Sequence, residues 1–170
     1  TGTGYPPRSL PTSVLLDKRG PGAGATGIAC GCVRNFYMTE ALHPIVRHSV
    51  DVWTHDPINF GFQQVGYISC GGPEQEEDYA NIQRSQNAVG YPSDLYAGKD
   101  AHKFLKGIWP DFKPDGIGVA LHEPLSGYAG TQPMVKVFAD KCAANGVRHH
   151  WGVGVPGYAA PAGPSHDGRH

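Results

Sequence analysis

The sequence predicts a mixed fold between the α/β and α+β classes. Short apolar runs of strand length alternate with amphipathic stretches of helix length in the order βα, then β and helices, then β, α, β. Glycines and prolines close most of these segments, as at Gly71, Gly72, Gly90, Pro110 and Gly146. A chain of 170 residues suits one domain with a real core, or part of a larger one.

Residues 13 to 17, SVLLD, form an apolar run ending in an acid and predict a buried strand. A glycine-rich loop follows. In TEALHPIVRHSVDVW, Leu42, Ile45, Val46, Val50 and Trp53 share one helix face, with Thr39 as cap and Pro44 early enough to be tolerated. FGFQQVGYIS, residues 60 to 69, has the aromatic and β-branched content of a strand. PEQEEDYANIQRSQNAVG opens with carboxylates, which favour a helix N-terminus, and sets Tyr79, Ile82, Gln86 and Val89 along one side.

KDAHKFLKGIW predicts a short helix stopped by Pro110, and GIGVALHEPLSGYAG a strand running into a turn. TQPMVKVFADKCAANG predicts a helix capped by Thr131, with Met134, Val137, Phe138 and Cys142 on its apolar face, and VRHHWGVGV a final strand. No repeat is visible. The two ends, TGTGYPPRSLP and PGYAAPAGPSHDGRH, offer little to fill a core.

Composition excludes several classes of function. The formal net charge is −1, and no basic run exists to follow a nucleic-acid backbone or an anionic membrane. No apolar stretch nears the roughly 20 residues that span a bilayer, and no signal peptide is recognisable, so a cytoplasmic location is expected. Cys30, Cys32, Cys70 and Cys142 lack zinc or redox spacing and are expected as free thiols. Nine histidines fall into no metal-binding frame, and adjacent His149 and His150 would point to opposite faces of a strand, so no metal site is predicted.

Residues 22 to 27, GAGATG, satisfy G-x-G-x-x-G. A dinucleotide fingerprint needs a strand before it, a helix beginning inside it and an acid after the next strand. SVLLD meets the first condition. IACGCVRN is a poor start for a helix, and Asp51 lies within a predicted helix instead of after a strand. Spacing alone therefore argues against a pyrophosphate cradle.

Several segments together resemble the D-amino-acid-oxidase-like flavoproteins, in their sarcosine oxidase and dimethylglycine dehydrogenase branch: SVLLDKRGPGAGATGIACGCVRNFY, HSVDVW, FGFQQVGYIS and SGYAGTQPMVKVFADKCAANGVRHHWGVGV. The similarity runs from about residue 12 to about residue 158. It implies a partial FAD-binding Rossmann-like layer joined to part of a mixed-sheet substrate domain. On that mapping residues 1–11 are a loose lead, 12–58 a partial FAD-binding segment, 59–130 a partial substrate-domain segment, 131–158 the returning FAD-binding helix and strand, and 159–170 a loose tail.

The resemblance also implies roles. Asp17 matches the acid that binds the adenosine ribose, with Lys18 and Arg19 near the adenine end. GATGIACG, comprising Gly24, Ala25, Thr26, Gly27, Cys30 and Gly31 among its residues, matches the segment lying along the flavin ring, where small residues let backbone approach. Arg34 matches an arginine suited to charge on the reduced ring or to a substrate carboxylate. Tyr128 borders the substrate cavity, and Val155 lies on a strand whose backbone meets adenine. On the residues alone, Asp17 equally reads as an ordinary strand-ending acid, Arg34 as a surface or capping arginine and Tyr128 as core.

Where relatives attach the flavin covalently through a loop histidine, GATGIACG has none, so bound FAD would be non-covalent. The first strand with its phosphate-binding turn and the later substrate strands have no counterpart, which makes the chain a partial member. A second chain or a homo-oligomer is the expected source of the rest. The implied reaction is oxidation of a small-molecule amine, of the N-methyl amino acid type, by hydride transfer to FAD, giving an imine that water hydrolyses. The rival readings are a non-catalytic remnant or interaction domain and, further off, a hydrolase, for which no G-x-S-x-G frame exists around Ser69.

Overall fold

In the computed structural model, residues 13–154 are described. The chain runs β1 (Val14–Asp17), α1 (Ala25–Ile28), β2 (Cys32–Val33), α2 (Leu42–His55), α3 (Pro57–Phe60), β3 (Phe62–Gln63) and β4 (Tyr67–Gly71). It continues through α4 (Glu76–Ala88), β5 (Asp94–Ala97), α5 (Lys99–Ile108), β6 (Val119–Glu123), β7 (Gly127–Ala129), α6 (Thr131–Ala144) and β8 (Arg148–Trp151). Both topologies that define a mixed fold occur. β1 and β8 form a parallel pair, while β2-β7-β3 and β4-β6-β5 are antiparallel sheets.

Strand β6 organises the main core because its alternation serves both faces. Val119 and Leu121 pack on Tyr79 and Ile82 of α4, whereas Ala120 packs on Ala101 and Leu105 of α5. A strand flanked by helices on both sides can be apolar at consecutive positions, as VAL is. The second core joins Phe60, Phe62 and Ala129, with Trp53 of α2 and Met134 and Val137 of α6 against them. It locks the small sheet to α6.

Several expectations are corrected. FGFQQVGYIS is not one strand: Phe60 ends α3, and β3 and β4 belong to different sheets. Gly61 and Gly66 take φ of 60° and 78°, left-handed turns that glycine adopts freely and that redirect the chain on either side of β3. β1 is exposed along its length instead of buried, with Val14, Leu15 and Leu16 at 44%, 47% and 45%, since a parallel pair cannot cover both of its own faces. On α2 the inward residues are His43 and Val50, and Ile45 faces solvent.

Neither predicted cap operates. Ala41 and Gly130 occupy the N-cap positions of α2 and α6, without side-chain capping bonds. On α6, Phe138 and Cys142 are exposed. β5 was missed because DLYA is a single short run without alternation; it forms by pairing with β6. α4 and α5 stand where predicted.

Candidate functional site

Asp17 closes β1 and caps the turn after it. Its Oδ1 accepts the backbone N–H groups of Arg19 and Gly20, each at 2.7 Å, and these bonds, Arg19 first, hold the carboxyl below the usual aspartate range. A lowered folded pKa means the turn is stabilised above the ordinary aspartate range and loses that support as pH falls through the lowered value. On acid titration the Arg19 and Gly20 amide resonances should therefore move together, with a midpoint below that of an unperturbed aspartate. A midpoint at the ordinary value would show that the turn does not hold the carboxylate.

Beyond this turn lies a cleft of about 330 Å³ between the β1–β8 pair, the glycine loop and α6. Asp17, Gly24 and Thr26 line it together with Phe138, His149 and Trp151. His149 and Trp151 lie in ring contact, centroids 5.0 Å apart. The buried His149 Nε2 has no partner among the described residues. Leu15 and Asp17 share the cleft with His149 and Trp151, their register partners in β8.

The glycine loop is held by its own close packing. A Cβ on Gly27 would stand 1.7 Å from Gly22 O, and one on Gly31 2.1 Å from Ala129 O, so both positions need glycine for the fold itself. Gly24 differs, with nothing within 4 Å of the same construction, leaving open room beside the cleft. A helical turn does begin inside GAGATG, but it ends after Ile28, whose side chain is 89% exposed. Thr131 of α6 ties the loop down through a 3.5 Å bond to Gly27 O. Ala25 and Cys30 are exposed, as are Lys18 and Arg19.

Arg34 and Tyr128 are positioned by the antiparallel sheet, not by the Asp17 cleft. Cys32 pairs with Tyr128, whose other neighbour is Gln63, so β7 presents the half-exposed Tyr128 between β2 and β3. Arg34 leaves β2 and donates from Nη1 to Tyr67 Oη at 3.0 Å. Its guanidinium lies 5.3 Å from the Tyr67 ring centroid and 5.8 Å from that of Tyr37, a cation–π setting that fixes its plane. Burial pushes the Cys32 thiol up, opposed by the positive charge of Arg34. The loop of residues 24–31 leads directly from the Asp17 cleft to this second group. Val155 lies outside the described residues.

A buried polar network behind Arg34 was missed in the sequence. Glu123 Oε2 accepts from Asn35 N at 2.8 Å and Ser126 Oγ at 2.7 Å, and Oε1 from Gln86 Nε2 at 2.5 Å. Tyr91 joins through Ser126, 2.6 Å between hydroxyl oxygens, and burial raises its phenol. The available signal was alternation: in VALHE, Glu123 shares the inward face of Val119 and Leu121, where an acid needs partners.

Other features bear on the rival readings. A larger cavity, about 560 Å³ between β5 and α5, contains none of the predicted residues. Ser69 Oγ is bonded to Tyr79 Oη at 2.9 Å, and among the described residues no histidine is bonded to it as a base. All four cysteines are free thiols. Among the described residues no cluster could hold a metal ion, and no helix is long and apolar enough to cross a membrane.

The family model described as FAD dependent oxidoreductase (DAO) matches residues 8–163. No curated protein matches the sequence. Among solved structures, L-proline dehydrogenase from P. horikoshii is similar with a TM-score of 0.74 and 23% identity, over 88% of this chain and 40% of that one. L-alpha-glycerophosphate oxidase from Mycoplasma pneumoniae with FAD bound gives 0.66 and 12%, over 84% and 39%. Glycine oxidase from Bacillus cereus gives 0.56 and 17%, over 82% and 39%. The chain thus spans about two fifths of the length of each of these structures, and at such identities the likeness is one of fold.

Proposed function

Because this chain belongs to the DAO family of FAD-dependent oxidoreductases, we propose that it is the part of a flavin-dependent amine oxidoreductase that holds the adenosine and one side of the ring. The observation that carries this reading is the shared cleft, which Asp17, Gly24 and Thr26 line together with residues of α6 and β8. Its donor set fits the adenosine half of FAD. A carboxylate can accept from ribose hydroxyls, Trp151 offers an aromatic face, and His149 Nε2 is a buried nitrogen in want of a partner.

FAD, when bound, supplies a hydride acceptor for the carbon beside an amine nitrogen. The chain's own residues do the rest. Asp17 anchors the ribose, with Lys18 and Arg19 at the adenine end. The segment from Gly24 through Ala25, Thr26, Gly27 and Cys30 to Gly31 lies along the ring, with Gly24 leaving room for close approach. Arg34, in contact with the rings of Tyr37 and Tyr67, binds the substrate carboxylate, and the half-exposed Tyr128 borders the amine.

The proposed substrate is a secondary or tertiary amine of the N-methyl amino acid type. It is supported by the sarcosine oxidase resemblance and by the likeness to an enzyme named for L-proline, itself a secondary amine. A second chain or a second copy completes the site. A different reading, a non-catalytic chain retaining part of the flavoprotein fold, is favoured by the exposure of every β1 residue.

A visible absorption spectrum separates the two. Purified protein incubated with FAD and freed of excess should keep flavin bands, and an N-methyl amino acid should bleach them in the absence of oxygen. Protein that stays colourless would leave the second reading.

A further inference from the structure

Glu123 is fully buried, and none of the ion pairs formed among the described residues includes it. A carboxylate so placed is costly unless its oxygens are satisfied by well-aimed donors. The donors here come from Asn35, Gln86 and Ser126, and two of them also meet at Asn35. Asn35 gives its N–H to Glu123 Oε2, and its C=O accepts from Gln86 Nε2, at 2.8 Å in each case. Gln86 in turn donates to Glu123 Oε1. Both backbone groups of Asn35 are therefore fixed by Glu123 and its partner.

Arg34 is the residue before Asn35, and its other end is bonded to Tyr67 Oη. Tyr67 is the register partner of Glu123 across the β4–β6 pairing. The arginine is thus strapped between two adjacent points of one sheet, its backbone secured through Glu123 and its guanidinium through Tyr67.

We infer that Glu123 is a positioning residue for Arg34: by accepting the Asn35 N–H it sets the direction in which the Arg34 side chain leaves the backbone. Its functional meaning rests on the role given to Arg34 above, as the group that meets the substrate carboxylate. Glu123 touches neither substrate nor cofactor in this scheme. It acts through one peptide bond. A carboxylate suits the place because it only accepts, and three donors meet there; a glutamine would turn its own N–H groups toward one of them.

Hydrogen exchange at the Arg34 guanidinium, whose Nη1–H is bonded to Tyr67 Oη, followed by nuclear magnetic resonance in the full chain, tests this without flavin or substrate, so a failed flavin titration leaves the result readable. In Glu123→Gln, that Nη1–H should exchange about tenfold faster or more, while the β4–β6 ladder amides of Ser69 and Leu121 stay within about twofold of the unsubstituted protein. Should that variant not fold, Glu123→Asp, which keeps the charge but withdraws it by one methylene, carries the same comparison. Unchanged Arg34 exchange in a folded variant would overturn the inference, as would a rise matched by the ladder amides, since that would mark a merely structural role.

Discussion

Phe60→Ala is expected to lower the unfolding free energy by about 3–5 kcal/mol, the usual cost of emptying an aromatic core position. Phe60 is 1% exposed and meets Trp53 at 5.1 Å and Phe138 at 5.5 Å between ring centroids. Lys141 of α6 caps the ring, its Nζ 5.1 Å from the centroid. Few atoms elsewhere could collapse into the space, because α2, α3, α6 and the small sheet all converge on this side chain. Domains of this size hold only about 5–15 kcal/mol in total, so the loss should be plain in urea unfolding. Ile58, two residues earlier on the opposite side of α3 and 90% exposed, is the control. Ile58→Ala should stay within about 0.5 kcal/mol, and equal losses at both positions would refute the packing described.

The second large effect concerns FAD. On the proposed reading, Asp17→Ala should weaken FAD binding about tenfold or more, since hydrogen bonds to a charged group are stronger than those between neutral groups. The same carboxylate also accepts the Arg19 and Gly20 amides, so alanine removes both a ligand contact and the loop's own fastening. Asp17→Asn separates them. Asparagine keeps an acceptor oxygen for the turn but loses the charge and one acceptor. Fluorescence titration with FAD should find Asp17→Asn weakened nearly as much as Asp17→Ala. An asparagine variant binding as tightly as the unsubstituted protein would assign the effect to the loop and end the ribose role.

Long periodic segments were legible in the sequence and short ones were not. α4 and α5 follow from carboxylates at a first turn, an inward set at helical spacing and a terminal proline or glycine. β3 and β5 have two and four residues, too few for alternation to register, and exist only because β7 and β6 pair with them. The exposure of β1 was hidden for another reason: an apolar run reveals that a strand wants cover, but not whether cover is present.

Of the candidate site, the sequence by itself marks Asp17 as the acid ending a strand. Arg34 is picked out only through the family resemblance, since its bonded partner Tyr67 lies 33 residues away. What Gly27 and Gly31 do for the fold could not be foreseen, because each touches backbone that is distant in sequence or folded back on itself. Glu123 was overlooked in a run resembling any strand end. Its partners, Asn35 and Gln86, lie 88 and 37 residues away.

The open flank of β1 has a consequence for handling the protein. Among the described residues, Val14, Leu15 and Leu16 pair with β8 alone and leave branched side chains exposed, the composition that seeds intermolecular ribbon growth. Three consecutive charges, Asp17, Lys18 and Arg19, follow at once and act as gatekeepers against such stacking. Neutralising them together should turn a concentrated stock turbid well before any loss of helical signal.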